Sequence, residues 1–376
     1  MRSKLLELVL FVALIVIVAS GFAHTWEQTN TTNDYLAISM SADGRILCAV
    51  TSGDRVGIST NSGKNWFTSP IGLGIGGLAP NGAAVSADGT KIHAVVLAQS
   101  TWLSTNQGLT WQQTGFPATA SWRIACSADG TKVIASSWNG PICFSTNSGA
   151  NCYTSSVPNA QWVSLASSAE GSRMVTAVNG GDIYYSTDYG GSWVPVGFSP
   201  RAWTSVCVSG NGGWMGATTG TNLYISNDAG TNWITNGLGG QSIACSADGS
   251  SWIVAGAETY TSTDGGLNWT TNLPSVSPRT VAVSADGCEI CVLAHDGIWM
   301  GRATSSPKLN LQPKDSNLAF SWMLSSTNFV LQQNPDLGSS NWRVVSNVAT
   351  LNFTNLQQEV TVPATTNLMF FRLMAQ

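Results

Sequence analysis

Short apolar runs alternate with small polar turn residues through most of this chain of 376 residues. A representative stretch runs from Arg123-Ile-Ala-Cys126 through Ser127-Ala-Asp-Gly130 to Lys132-Val-Ile-Ala135. Runs this short, bounded by Gly, Asp, Asn and Ser, predict β-strands joined by tight turns. No stretch rich in Lys, Glu and Leu with a helical period interrupts the pattern. We therefore expect an all-β protein.

The Ser-Ala-Asp-Gly turn recurs along the chain between pairs of apolar runs, with small variations in the fourth and fifth copies. The seven copies begin at Ser41, Ser86, Ser127, Ser168, Ser209, Ser246 and Ser284. They are roughly 40 residues apart, and a unit of that length holding four strands is the period of a β-propeller blade. The repeats therefore predict seven blades.

A second motif, Ser-[Thr/Asn]-[Asn/Asp]-x-Gly-x-x-Trp, occurs six times, with Cys152 replacing Trp in the third copy. Its third position should accept backbone N–H bonds across a hairpin turn, while its Gly takes a positive φ and its Trp packs over the hairpin. Three copies carry Asn, which a turn cap tolerates and a general acid does not. We interpret this Asp box as structural rather than catalytic or calcium-binding. Its cap residues are Asn61, Asn106, Asn147, Asp188, Asp228 and Asp264.

The seventh blade lacks an Asp box and a fourth strand in its own stretch of sequence. Near the N-terminus, Thr25-Trp-Glu-Gln-Thr29 resembles Thr110-Trp-Gln-Gln-Thr114, which supplies the fourth strand of blade two. We infer that the N-terminal strand completes blade seven and closes the ring, which removes exposed sheet edges. The predicted fold is an all-β, seven-bladed β-propeller over residues 24–305.

Together the two motifs give the chain a resemblance to the Asp-box, or BNR, propellers over about residues 25–302. These proteins include bacterial sialidases, sortilin-type receptors and photosystem II assembly factors. The repeat spacing and single ring look most similar to the assembly-factor branch and to related secreted bacterial repeats. Because hydrolases and non-enzymes share the fold, the resemblance implies the architecture and leaves the activity open.

The two ends of the chain depart from the repeat. Residues 306–376 contain strand-like segments without the period, and they predict a small β-sandwich that resembles C-terminal tails of secreted bacterial proteins, which implies surface attachment or sorting. Residues 1–23 have a basic start, an apolar run and a small-residue site ending at Ala23. They predict a cleaved signal peptide and a secreted, cell-surface or periplasmic protein. An uncleaved membrane anchor is the alternative, although Glu7 leaves the run short of the roughly 20 residues needed to span a bilayer.

Charge is scarce, at 10% of residues with a net charge of −4. That composition offers neither a basic footprint for nucleic acid nor a polybasic membrane patch. We expect a monomer without a cofactor, whose partner is a protein or a glycan.

The candidate binding residues lie on the loops opposite the Asp boxes. Most gather near the predicted closure of the ring, and a polar pocket there is our first hypothesis; the alternative is that they are ordinary solvated loop residues. The set is Asp54, Arg55, Trp138, Glu258, Arg279, His295 and Asp296. Aromatic residues in the same loops or at the starts of first strands suit sugar or peptide recognition, or else inter-blade packing. They are Trp102, Trp122, Trp162 and Trp203.

An exo-acting glycoside hydrolase similar to sialidases is the alternative to a non-catalytic binding or assembly module. The family's chemistry requires an arginine triad, a Tyr–Glu nucleophile pair and an acid Asp. Arg123, Arg201 and Arg279 precede first strands of different blades, and Glu258 lies close to Tyr260 in sequence. No Phe-Arg-Ile-Pro segment is present, so we assign no catalytic residue.

The eight cysteines are too few for a dense disulfide scaffold. Cys143 and Cys152 flank the hairpin turn of blade three, so we predict a cross-strand disulfide between them. Cys288-Glu-Ile-Cys291 lacks a second pair to complete a zinc site and is interpreted as structural. We therefore expect no metal.

Overall fold

The computed structural model describes residues 24–29, 35–51, 55–71, 80–96, 100–118, 123–271, 277–303, 307–364 and 368–376. Every regular element in these ranges is a β-strand, so the prediction of an all-β fold is confirmed. A helix suited to crossing a bilayer does not occur in the described ranges. The predicted signal peptide, residues 1–23, lies outside them.

The strands of residues 24–303 form seven four-stranded antiparallel units, here called blades one to seven, each with strands A to D in order from the centre outwards. Strands A are Tyr35–Met40, Pro80–Val85, Arg123–Cys126, Trp162–Ser167, Arg201–Val208, Ser242–Cys245 and Pro278–Val283. Strands B are Leu47–Thr51, Ile92–Val96, Val133–Ser136, Met174–Gly181, Met215–Thr219, Trp252–Ala255 and Glu289–Ala294.

The outer half of each blade is a hairpin. Strands C are Arg55–Ser59, Thr101–Ser104, Ile142–Ser145, Ile183–Ser186, Leu223–Ser226, Thr259–Ser262 and Gly297–Arg302. Strands D of blades one to six are Phe67–Pro70, Gln112–Gln113, Tyr153–Thr154, Val194–Pro195, Ile234–Asn236 and Thr270–Thr271. In blade seven the fourth strand is Thr25–Gln28, which pairs antiparallel with Gly297–Arg302.

A closed circle of backbone hydrogen bonds runs around the axis. In each case the second residue of a Ser-Ala-Asp-Gly turn donates its N–H to the carbonyl of the same position in the next blade, over 2.7–3.0 Å. The circle passes through Ala42, Ala87, Ala128, Ala169, Gly210, Ala247 and Ala285 and returns to Ala42. The repeated turn therefore forms the inner rim of the ring.

Six of the seven Ser-Ala-Asp-Gly turns share a side-chain arrangement that explains their sequence, the exception being the fourth, where Glu170 is the third residue. In the first, the Ser41 hydroxyl donates to Asp43 Oδ1 at 2.5 Å and accepts the Ile46 backbone N–H at 2.9 Å. The Gly of each turn has a positive φ and lies against the preceding blade. A Cβ on Gly89 would meet Ile46 of blade one at 2.3 Å. Only Gly satisfies both the conformation and the contact.

Burial follows the position of each strand in its blade. Strands B are buried on both faces because each lies between two neighbouring blades, whereas most strands D are exposed. The apolar clusters accordingly form between blades. One joins Leu47 and Ala49 of blade one to Cys291, Leu293 and Met300 of blade seven. Packing thus continues across the closure of the ring.

The chain after the ring forms two sheets that enclose a second core. One sheet contains Asn310–Lys314, Asn317–Met323, Gln357–Pro363 and Thr350–Asn352, and the other contains Arg343–Val344, Phe329–Asn334 and Phe370–Ala375. Phe320, Trp322, Leu331 and Val360 are buried between them. We call this unit the tail domain.

Candidate functional site

The antiparallel blades divide the turns between two faces of the ring. Turns joining strands A to B and C to D lie on one face, which we call the Asp-box face. Turns joining strands B to C, and one blade to the next, lie on the other, which we call the loop face. Strand A of each blade therefore starts at the loop face and ends at the hub of the Asp-box face.

The Asp-box residues act as turn caps. In blade four, Asp188 Oδ1 accepts the Ser192 N–H at 2.9 Å and the Ser186 hydroxyl at 2.8 Å. In blade one, Asn61 Oδ1 makes the equivalent bonds to Asn65 N–H and the Ser59 hydroxyl. An amide oxygen and a carboxylate oxygen accept the same hydrogen bonds, so the turn requires a hydrogen-bond acceptor and not an acid.

The Asp-box Trp closes the same turn. The Trp193 indole N–H donates to the carbonyl of Gly190, the Gly of its own box, at 3.0 Å. Cys152 takes this place in blade three, where its Sγ lies 3.5 Å from the Gly149 carbonyl. In blade two the Trp111 indole N–H donates instead to the Ser69 hydroxyl of blade one, so five of the six copies close their own hairpin.

A cavity of about 160 Å³ lies on the axis at the Asp-box face. Small residues of the seven Ser-Ala-Asp-Gly turns line it, together with Cys126, Cys245 and Leu356 of the tail domain. None of its lining residues is acidic. The cavity therefore does not offer the pair of facing carboxylates that glycoside hydrolysis uses.

At the loop face, the structure brings Arg279 and His295 of blade seven together. Arg279 Nη2 lies 3.1 Å from His295 Nδ1, and Arg279 Nη1 donates to the Tyr35 carbonyl of blade one at 2.8 Å. The Arg279 guanidinium can only donate hydrogen bonds, so His295 Nδ1 is the acceptor in this contact. The pair marks the junction between the last blade and the first.

Two other members of the predicted pocket, Glu258 and Asp296, have partners within their own blades. Glu258 accepts the Tyr260 hydroxyl at 2.8 Å, while Asp296 accepts Gln28 Nε2 at its backbone carbonyl and the Trp299 indole N–H at Oδ1. Arg55 begins strand C of blade one and is exposed. Trp138 is 48% exposed in the B-to-C turn of blade three. Asp54 lies outside the described residues.

The Glu258–Tyr260 pair lies in solvent, and its chemistry follows from that position. The hydrogen bond to Glu258 raises the pKa of Tyr260, because removing the phenolic proton would break that bond and place two negative charges side by side. The phenol therefore serves as a donor at neutral pH.

A second cluster on the loop face joins blades four and five. The Arg201 guanidinium carbon lies 5.7 Å from the centre of the Phe198 ring and 5.2 Å from that of Tyr224. Phe198 also packs against Trp203, with ring centres 5.3 Å apart. Arg201 Nε is buried and makes no hydrogen bond in the described structure. We call these four residues the arginine–aromatic cluster.

Backbone structure explains how the arginine–aromatic cluster is positioned. Strand B of blade four is long enough to pair with strand A of blade five, where Gly181 lies opposite Arg201. The Trp203 indole N–H donates to the Gly181 carbonyl at 2.9 Å. Asp182 accepts the Phe198 backbone N–H at 3.0 Å, which holds the inter-blade loop in place.

Sequence analysis found only part of this cluster. Arg201 and Trp203 were singled out for their place at the start of a first strand, while Phe198 and Tyr224 were missed. The spacing Phe198-x-x-Arg201-x-Trp203 was a usable signal, because residues 201 and 203 share one face of a strand. The contribution of Tyr224 depends on the tertiary structure.

The remaining candidate residues in the described ranges, an arginine and several tryptophans, contact neighbouring blades or are buried between them. Arg123 Nε donates to the Val163 carbonyl of the next blade at 3.0 Å, and burial lowers the pKa of this guanidinium. Trp102, Trp162 and Trp203 are all less than a tenth exposed, as inter-blade packing requires. Trp122 lies outside the described residues.

All eight cysteines have free thiols in the structure. Cys143 and Cys152 belong to one apolar cluster, but strand pairing places Cys143 opposite Thr154. The disulfide stays a prediction. Cys288 and Cys291 are buried. No cluster of three or more His, Cys, Asp or Glu side chains suited to a metal ion occurs in the described part of the chain.

Comparison with known proteins supports the fold. Neither a protein-family model nor a curated protein matches the chain. Among solved structures, the chain is similar to one described as YCF48 bound to D1 peptide, with a TM-score of 0.61, 16% identity, and coverage of 78% of this chain and 98% of that one.

Two further solved structures give the same result. YCF48 from Cyanidioschyzon merolae aligns with a TM-score of 0.58 and 14% identity, covering 74% of this chain and 98% of its own. Kuenenia stuttgartiensis hydrazine synthase aligns with a TM-score of 0.59 and 14% identity, covering 74% and 98%. Identities this low establish a β-propeller and no activity. The predicted propeller fold is confirmed.

Proposed function

We propose that this protein is an exported, non-catalytic binding or assembly module whose loop face recognises a protein segment. The observation that carries the proposal is the arginine–aromatic cluster. Arg201 presents a cation with a buried, unsatisfied Nε between two aromatic rings, on the face that the tail domain leaves open.

The chemistry of the cluster favours a peptide with a carboxylate. A guanidinium that stacks on rings keeps its outer N–H groups for a planar anion, and carboxylates match that geometry. Aromatic rings beside it suit apolar side chains of the same ligand. The hydrogen-bonded pair Arg279 and His295 provides a second polar group for ligand contacts on the same face.

The structural neighbours support this choice in one respect. A propeller of similar fold, YCF48, has been solved bound to D1 peptide. Peptide recognition is therefore within the capacity of the fold. Glycan binding, which aromatic residues also suit, is the other outcome that a binding experiment has to distinguish.

A sialidase-like glycoside hydrolase is the second candidate, and one contact favours it. The Tyr260 hydroxyl and Glu258 carboxylate are hydrogen-bonded, as a Tyr–Glu nucleophile pair would be. Against it, Arg123 and Arg279 donate to backbone carbonyls of neighbouring blades rather than to an open pocket.

Binding of a peptide array to the secreted full-length chain tests the proposal. Acidic and neutral peptides of equal length would be compared with a glycan array and with chromogenic glycosides. We expect binding to acidic peptides that Arg201→Gln abolishes. Arg343→Gln, at an exposed arginine of the tail domain, is the matched control. Glycoside turnover that is lost in Glu258→Gln would replace the proposal with the hydrolase.

A further inference from the structure

The tail domain covers the hub of the Asp-box face. Leu356 is buried among the alanines of the Ser-Ala-Asp-Gly turns, and Met323 packs against the same group. The alanines come from six blades, so one side chain of the tail domain reaches the centre of the ring. They are Ala42, Ala87, Ala128, Ala169, Ala247 and Ala285.

The backbone of Leu356 is shaped for this contact. Its φ is +58°, a left-handed conformation that costs a residue with a side chain about 1–2 kcal/mol. Its N–H donates to the Asn352 carbonyl, and its own carbonyl accepts the Leu324 N–H at 3.0 Å. A glycine would fit this turn without strain but would leave the hub uncovered. The strained leucine therefore points to a role for its side chain.

Polar contacts lie at one sector of the same interface. The Ser326 carbonyl accepts Arg45 Nε at 3.1 Å and Arg45 Nη2 at 2.6 Å, and the Ser326 hydroxyl donates to Glu289 Oε1 at 3.2 Å. Arg45 belongs to blade one and Glu289 to blade seven. A single residue of the tail domain thus bridges the two blades that meet where the ring closes.

The closure is the mechanically distinct junction of the ring. In the other six blades strands C and D are joined by continuous chain, whereas in blade seven strand Thr25–Gln28, which leads on into blade one, is held to strand C only by noncovalent contacts. Arg302 of strand C binds Glu27 and Glu289 within blade seven and donates to the Ser62 carbonyl of blade one. Ser326 adds a link from outside the ring.

We propose that the tail domain is an intramolecular clamp of the propeller, which plugs the hub with Leu356 and ties blade one to blade seven through Ser326. In this arrangement the tail domain stabilises the closure of the ring and restricts ligands to the loop face. The role is independent of the proposed peptide binding, and it stands whether or not the loop face binds a peptide.

Hydrogen exchange on the full-length chain tests the clamp. Leu356→Asp places a carboxylate among the hub alanines and should release the tail domain because that charge cannot be buried there. At the closure, the Ala285 N–H bonds to the Ala42 carbonyl, while on the far side the Ala128 N–H bonds to the Ala169 carbonyl. We expect exchange at Ala285 to rise about tenfold more than exchange at Ala128.

Two further variants keep the test decisive. Leu337→Asp makes the same change at a position of the tail domain that is 54% exposed and should leave both rates unchanged. Arg45→Ala removes the contacts to Ser326 from the propeller side, so it tests the clamp even where Leu356→Asp fails to fold. Equal rises at Ala285 and Ala128, or no rise in either variant, would overturn the proposal.

Discussion

Gly44 of blade one lies directly against Glu289 of blade seven. A Cβ placed on Gly44 would be 2.7 Å from both Cβ and Cγ of Glu289, and Gly44 itself has a φ of +73°. Equivalent contacts join a turn glycine to the preceding blade all around the ring, for example Gly130 to Lys91. The contact at Gly44 is the one that closes it.

Gly44→Ala should destabilise the ring through both conformation and contact. The left-handed backbone alone costs about 1 kcal/mol, and the clash adds to it because Glu289 is buried and cannot move freely. Thermal unfolding followed by circular dichroism measures the effect. Gly180→Ala, at φ +68° with open space around it, carries the conformational cost alone. Equal losses of thermal stability in the two variants would show that the contact between Gly44 and Glu289 does not contribute to stability.

Glu289 should make stability depend on pH. Burial raises the pKa of Glu289 to about 6, against the opposing attraction of Arg302. The contribution of Glu289 to the free energy of unfolding is therefore greatest below about pH 4.5 and is lost as pH rises through 6. Glu289→Gln removes this dependence, so the stability of the variant relative to the native protein should rise by about 2 kcal/mol between pH 4 and pH 8.

Denaturant unfolding at several pH values checks the Glu289 prediction. Glu170→Gln, which neutralises an exposed carboxylate in the Ser168-Ala-Glu-Gly171 turn of blade four, is the control. A flat difference between Glu289→Gln and the native protein across this range would contradict the prediction.

The Asp boxes should tolerate loss of charge but not loss of the acceptor. Asp188→Asn keeps an oxygen for the Ser192 N–H and the Ser186 hydroxyl and should change stability by less than about 0.5 kcal/mol. Asp188→Ala removes that acceptor and should cost about 1 kcal/mol, as a lost turn cap does. Chemical denaturation of both variants separates the roles. A large loss in Asp188→Asn would indicate that the charge itself matters.

The pH dependence of the same residue has the opposite sign to that of Glu289. Burial opposes ionisation of Asp188, but hydrogen bonds from Ser192 and Ser186 outweigh it and hold its pKa below the usual range. Its stabilising contribution is therefore present at neutral pH and is lost in acid. Asp188→Asn should lose less stability than the native protein on acidification below pH 4.

Cys143 and Cys152 should form a disulfide when the chain passes through an oxidising compartment. Burial raises the pKa of both thiols, that of Cys152 to about 12, so the reactive thiolate is scarce and oxidation requires an oxidising environment. Peptide mass mapping without reduction measures the bond. Cys143→Ser leaves Cys152 free to react with an alkylating reagent. Full alkylation of both cysteines in native protein prepared from an oxidising compartment would contradict the prediction.

Contacts between residues close together in the sequence could be predicted, whereas contacts between residues far apart in the sequence could not. The propeller and its turns were predictable because Ser41, Asp43 and Gly44 form one local unit, and the same local rule recurs along the chain. Arg279 and His295 were placed on one face by counting strands. Their contact and the Glu258–Tyr260 bond needed side-chain positions, which strand counting does not provide.

The sequence by itself determined the all-β propeller, because hydrogen bonds within short turns and two-faced apolar strands are properties of neighbouring residues. Only the tertiary structure decided which distant side chains meet. The convergence of Phe198, Arg201 and Tyr224, and the burial of Leu356 among the hub alanines, arise from inter-blade and inter-domain packing. No local pattern encodes these contacts in full, since Tyr224 lies two strands away from Arg201 and Leu356 packs against alanines from six blades.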